Sequence, residues 1–148
     1  MAADLENLRR LVAAEHGLAV VATTRSDGSV HASVVNAGVL DDPRSGEPVV
    51  GLIARGDAVK VRLVRRAGRA SLTFRVGWEW AAVEGPVQLI GPDDPADGFS
   101  PHRLPQLLRD VFSAAGGNHG DWNEYDRVMA AERRVAILVQ PARMTSNA

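Results

Sequence analysis

The sequence predicts a mostly antiparallel β-barrel with flanking helices, contained in a single domain over residues 1–148. Three observations favour this fold class. About seven strand-like segments follow one another, and the first two are joined by a hairpin signal. Helical segments lie at the start, in the middle and near the end of the chain. No repeating strand–helix–strand pattern occurs, so a doubly wound parallel sheet is disfavoured.

Periodicity and turn residues predict the elements in chain order. Apolar residues at helical spacing stop at Gly17 and predict an N-terminal helix, while Asp27-Gly28 between two β-branched runs predicts a hairpin. Ser100-Pro101 and Asp121 are helix-start signals, and Glu84-Gly85 predicts a tight turn or a bulge between two strands. The predicted order is a helix over 4–16, strands over 18–24 and 29–35 with Asn36 continuing the second, a strand from Val49, a helix over 58–67, strands over 70–76, 78–83 and 86–90, helices after Ser100 and after Asp121, and a strand over 135–139.

Composition excludes several classes of function. The hydrophobic fraction of 45% and charged fraction of 24% are typical of a soluble domain, and no apolar run is long enough to span a membrane. The N-terminus has acidic residues where a signal peptide would be basic and then apolar. There is no cysteine, and the net charge of -1 gives no basic excess for nucleic acid. We therefore expect a cytoplasmic protein without nucleic-acid or membrane partners.

The sequence contains none of the common catalytic motifs. Walker, dinucleotide-binding, zinc-protease and serine-hydrolase signatures are all missing. The four histidines have no second ligand at a helical or hairpin spacing, so we predict no metal site. Ser33 has no neighbouring base, and we interpret it as a hydroxyl that hydrogen-bonds a ligand. No side chain is predicted to be catalytic.

A short basic helix supplies the best candidate for an anion site. Asp57 is the predicted N-cap and Gly68 the stop, with Val59 and Leu63 on the buried face. Lys60 then lies beside the free N–H groups of the first turn, where a phosphate would bind, and Arg55 would close the site. An amphipathic helix with a solvated basic face explains the same pattern, and both interpretations stay open.

Two tryptophans are candidates for contact with a planar ring. Trp78 and Trp80 share one face of a predicted strand. This placement suits stacking on a ligand, or burial in a barrel or a dimer interface.

Three segments together resemble the pyridoxamine 5'-phosphate oxidase-like split-barrel family, specifically its actinobacterial branch that uses the deazaflavin coenzyme F-420. The segments are RGDAVKVRLVRRAGRASLTF, GWEWAAVEGPVQLIGP and GDWNEYDRVMAAERRVAIL. The resemblance implies a homodimer of split β-barrels with two cofactor sites at the subunit interface. It places the phosphate-bearing tail at Lys60, Arg55 and Arg62, the ring along Ser33 to Asn36, and Trp78 or Trp80 near the interface. Leu63 stands where relatives often have a polar residue, so recognition of the tail differs here.

The resemblance also implies a reaction. The family passes a hydride from reduced cofactor to an unsaturated small-molecule acceptor, such as a biliverdin-like tetrapyrrole, a quinone or an enone. Because the cofactor carries the reactive carbon, the protein has to hold donor and acceptor in line and exclude water. Two other functions stay open: a non-catalytic F-420 carrier, and an FMN-dependent flavoprotein.

Overall fold

The computed structural model describes residues 2–148, with side chains from Leu5 onward. The elements in chain order are α1 (Ala2–Ala14), β1 (Leu18–Thr24), β2 (Val30–Asp41), β3 (Pro48–Ala54), α2 (Val59–Ala67), β4 (Arg69–Val76), β5 (Glu79–Ile90), a short 3-10 turn (Pro101–Arg103), α3 (Leu104–Ala114), α4 (Trp122–Ala131), β6 (Val135–Val139) and β7 (Arg143–Ser146).

Six antiparallel strands close into a barrel in the order β4-β1-β2-β3-β6-β5, with β5 pairing back onto β4. β7 pairs with the outside edge of β5. The two longest strands each change partner midway: β2 pairs first with β1 and then with β3, and β5 pairs first with β4 and then with β6. The predicted split β-barrel with flanking helices is confirmed.

Two apolar clusters stabilise the fold. The barrel interior is filled by side chains such as Leu52, Leu72 and Phe74, and Leu8 and Leu11 of α1 pack into the same cluster. The second cluster lies between the outer face of the β3 and β6 region and the helices α3 and α4. Every residue of β6 is buried because this strand has a core on both faces. None of the helices within residues 2–148 is long and apolar enough to cross a membrane.

Gly38 allows α3 to approach the barrel closely. A Cβ at this position would lie 2.2 Å from the carbonyl carbon and oxygen of Ala114. A side chain here would force the end of α3 away from β2, and this end of α3 forms part of the cavity described below.

Several local predictions are confirmed. Gly68 ends α2 in the left-handed conformation with φ 70°, and its N–H donates to Val64 O. Asp121 caps α4, since its side chain accepts a hydrogen bond from the Glu124 N–H.

Other local predictions are wrong. Residues 79–90 form one strand, because Gly85 has no side chain to clash with Gln140 O, which a Cβ would meet at 1.9 Å. α2 is capped by Ala58 without a side-chain bond, so Asp57 is not the N-cap, and Val59 is 41% exposed, not part of the buried face.

Two further differences concern the C-terminal half of the chain. The segment after Ser100 begins with the 3-10 turn and becomes α-helical only at Leu104. The sequence analysis also missed β7, a four-residue strand whose side chains are exposed or half-buried, so it lacks an apolar pattern.

Candidate functional site

A cavity of about 580 Å³ lies where strands β2 and β3 meet helices α3 and α4. Its volume falls in the range that small-molecule sites occupy. The side chains come from elements far apart in the chain and include His16, Asn36, Lys60, Phe112, Tyr125 and Arg134.

One end of the cavity is cationic. Val135 pairs with Ala54, so the chain leaving β3 lies beside the chain entering β6, and Lys60 and Arg134 meet there. Burial, and secondarily the charge of Arg134, lower the pKa of Lys60. No carboxylate among the described residues contributes to this pKa shift. Among the described residues Arg134 pairs with the Glu132 carboxylate and Lys60 with none, so the two neighbouring cations still form a suitable site for a phosphate.

Glu132 orients Arg134 toward the site. Its Oε1 accepts a hydrogen bond from Arg134 Nε over 3.1 Å and lies 3.0 Å from Arg134 Nη2. The other carboxylate oxygen lies 3.9 Å from Arg55 Nη1. The turn that ends α4, in which Arg134 N–H donates to Met129 O over 2.9 Å, brings Arg134 to the cavity. The sequence analysis did not find Arg134, because only this turn distinguishes it from the neighbouring arginine.

The open edge of β2 supplies backbone hydrogen-bonding groups. Ala37 N–H donates to Gly17 O over 2.8 Å, so the odd-numbered residues of β2 bond toward β1. The direction alternates along an antiparallel strand, and the N–H and C=O of Val34 therefore point to the opposite edge. Within the described chain no strand pairs with residues 30–36 on that edge. Val34 lines the cavity, so a planar ligand can bond to its backbone there.

Helices α3 and α4 form an aromatic wall. The rings of Phe112 and Tyr125 have centroids 5.1 Å apart, and Trp122 packs edge-on against Tyr125 at 5.2 Å. The Tyr125 hydroxyl donates to Leu108 O over 2.9 Å. Burial raises the pKa of Tyr125 to about 12, so the phenol stays protonated at neutral pH. The sequence pattern predicted these helices but did not indicate that their rings border a cavity.

Ser33 and His31 have unsatisfied polar atoms. Ser33 Oγ and His31 Nδ1 are buried, and neither has a hydrogen-bond partner among the described residues. A buried polar atom without a partner costs roughly 1–3 kcal/mol. Ser33 is not part of the cavity wall, but it directly precedes Val34, so its predicted contact with a ligand remains a prediction.

The structure brings only part of the predicted site together. Of the seven predicted residues, Asn36 and Lys60 line the cavity. Arg55 lies outside it, with Nε 3.4 Å from Asp57 Oδ1. The other four stay predictions without a place in the cavity wall: Ser33 next to it, Arg62 exposed on α2, Trp78 93% exposed in the β4–β5 turn, and Trp80 half-buried on β5. In the part of the chain that the structure describes, no three metal-ligating side chains cluster.

Comparison with known proteins supports the fold. No protein-family model matches the sequence. A conserved hypothetical protein from Mycobacterium tuberculosis is similar, with a TM-score of 0.68 and 17% identity over 95% of this chain and 82% of that one. A pyridoxamine 5'-phosphate oxidase-related, FMN-binding protein from Nostoc punctiforme has a TM-score of 0.65 and 16% identity over 98% and 80% of the two chains.

A third similar structure is an F420 reductase, with a TM-score of 0.61 and 14% identity over 93% of this chain and 94% of that one. At these identities the three structures define the fold. The chain therefore has the split-barrel fold of pyridoxamine 5'-phosphate oxidase-like proteins, as the resemblance in its sequence implied.

Proposed function

We propose that this protein binds coenzyme F-420 in the cavity and transfers a hydride from the reduced cofactor to a conjugated acceptor. The observation that carries the proposal is that Lys60 and Arg134 lie side by side at one end of the cavity. The similarity to an F420 reductase supports the choice of cofactor. The phosphate would bind between the two cations, and the ring would lie along the Val34 edge of β2.

The chain's own residues would bind and orient the cofactor. Lys60 and Arg134 would hold the anionic tail, and the backbone N–H and C=O of Val34 would orient the ring through hydrogen bonds. Phe112 and Tyr125 exclude water from the opposite side. The bound cofactor supplies the hydride, so no side chain has to act as a nucleophile. The proposed acceptors are a biliverdin-like tetrapyrrole, a quinone or an enone, and the proposed compartment is the cytoplasm.

We also propose that the protein is a homodimer. The outer face of the β1–β2 hairpin exposes Leu18, Val20, Val30 and Val34 at 42–65% of their surface. Val20 lies opposite Val34 in the register, so the exposed side chains are contiguous. A contiguous apolar face is typical of an interaction surface. Because Val34 also lines the cavity, a second copy seated on this face would lie at the cavity mouth and could contribute Trp78 or Trp80.

FMN is the second candidate cofactor. The similarity to an FMN-binding protein favours it, and its phosphate would suit the same two cations. An FMN-dependent oxidase or reductase would use the same cavity and the same open strand edge.

The test is a turnover assay. Purified protein is mixed with reduced F-420 and with biliverdin, menadione or a conjugated enone, and the return of oxidised-cofactor absorbance is followed. We expect accelerated oxidation with at least one acceptor. Tight F-420 binding with no acceleration for any acceptor would favour the carrier function, and retention of FMN without affinity for F-420 would favour the flavoprotein.

A further inference from the structure

The backbone of His16 adopts the left-handed region, with φ 53°. His16 follows the end of α1, where Gly17 N–H closes the last turn on Val12 O over 2.9 Å. Helices that end this way usually have glycine at the left-handed position, because a Cβ is disfavoured there. The chain therefore has histidine where the backbone favours glycine.

Contacts from two other elements fix His16. Asn36 Nδ2 donates to His16 O over 2.8 Å. His16 Nδ1 lies 3.3 Å from Gly116 O, just beyond the end of α3. Gly116 has φ 88°, and a Cβ there would come within 3.2 Å of His16 Cα and Nδ1. The imidazole is thus held against the end of α3, at the wall of the cavity.

The contact with Gly116 determines which ring nitrogen is available. A carbonyl oxygen only accepts, so Nδ1 carries the proton in this bond. In the neutral ring Nε2 is then a hydrogen-bond acceptor. Among the described residues, the hydrogen bonds of His16 use its Nδ1 and its backbone oxygen, and none uses Nε2.

We infer that His16 is a binding residue of the cavity, and that its Nε2 accepts a hydrogen bond from an N–H or O–H group of the bound molecule. The inference rests on the proposed function, because it requires the cavity to bind a ligand. Contact with the ligand explains why an imidazole occupies this strained backbone position. Backbone strain of this kind persists only where the surrounding structure holds the residue in place.

The test uses His16→Gly and His16→Asn, two residues that tolerate the left-handed conformation. We expect the Tm of the unliganded variants not to fall, because relief of strain offsets the lost bond to Gly116. Affinity is measured by fluorescence titration with F-420, FMN and biliverdin, each of which carries N–H or O–H donors. For any probe that the wild type binds, we expect about a tenfold loss in both variants, corresponding to one neutral hydrogen bond.

Arg133→Gly is the matched control. Arg133 has φ 48° at the end of α4, and its guanidinium pairs with Asp93. This variant relieves similar strain without removing a cavity-lining side chain, so affinity should stay within about twofold, because an exposed ion pair contributes little.

Three outcomes would overturn the inference. If the wild type binds a probe and both His16 variants bind it equally well, His16 is not a binding residue, and the proposed function is unaffected. If affinity and Tm fall together, His16 has a purely structural role. If the wild type binds none of the three probes, this inference and the proposed function both fail.

Discussion

Replacing Lys60 with alanine tests the cationic end of the cavity. Lys60 is half-buried, and burial and Arg134 already disfavour its charge in the free protein. A bound phosphate would instead favour the charged form of Lys60, through a charge-assisted hydrogen bond worth about 1.5 to 3 kcal/mol. Lys60→Ala should therefore weaken F-420 binding by roughly one to two orders of magnitude. Fluorescence titration at constant ionic strength measures this loss.

The control variant for Lys60 is Arg66→Ala, on the same helix. Arg66 is exposed, and its guanidinium donates to Thr24 O, so the variant removes one positive charge without touching the cavity. It should leave affinity unchanged. Equal affinity of Lys60→Ala and wild type, with circular dichroism showing both folded, would falsify the phosphate assignment. Equal losses in the two variants would indicate a general charge effect.

Four further predictions follow from the structure. The pKa of Lys60 is lowered from 10.5, so its charge is lost at a lower pH than that of an ordinary lysine. F-420 affinity should therefore fall as the pH rises. Titrations at several pH values should show this fall in the wild type and not in Lys60→Arg. Gly38→Ala should destabilise the fold by about 1–3 kcal/mol in urea unfolding, because its Cβ would meet the Ala114 carbonyl; an unchanged midpoint would contradict the packing. Tyr125→Phe removes the hydroxyl's hydrogen bond to Leu108 O, a carbonyl within α3, and should cost about 0.5–1.5 kcal/mol in the same assay. Light scattering should show a wild-type dimer and a Val20→Glu monomer, whereas a wild-type monomer would exclude the proposed interface.

Local signals in the sequence predicted much of the fold. Neighbours within a few residues determine four of the confirmed features. These are the β6 strand over 135–139, the Asp27-Gly28 hairpin, the C-terminus of α2 at Gly68 and the N-terminus of α4 at Asp121. In the sequence, Glu84-Gly85 resembles a turn signal, although it lies within one continuous strand. Its role as the partner-switching point of β5 depends on the approach of Gln140, which directly follows β6 and is distant in the sequence.

The site was harder to predict because its wall is made from separate elements. Lys60 was found through its position in the first turn of the basic helix, and Asn36 through the resemblance to the split-barrel family. His16 and Arg134 reach the cavity because α1 and α4 end in left-handed turns at His16 and Arg133, and a residue other than glycine gives no local signal of such a turn. His16 meets Gly116 across 100 positions of sequence, a contact that no local pattern records.

The most direct test of the central claim is a crystal structure of the protein with oxidised F-420. The account predicts one cofactor per chain in the cavity, with phosphate oxygens within hydrogen-bond distance of Lys60 Nζ and the Arg134 guanidinium, and with the ring against the Val34 edge of β2. A cofactor bound elsewhere, or in the cavity with its phosphate on other cations, would contradict it.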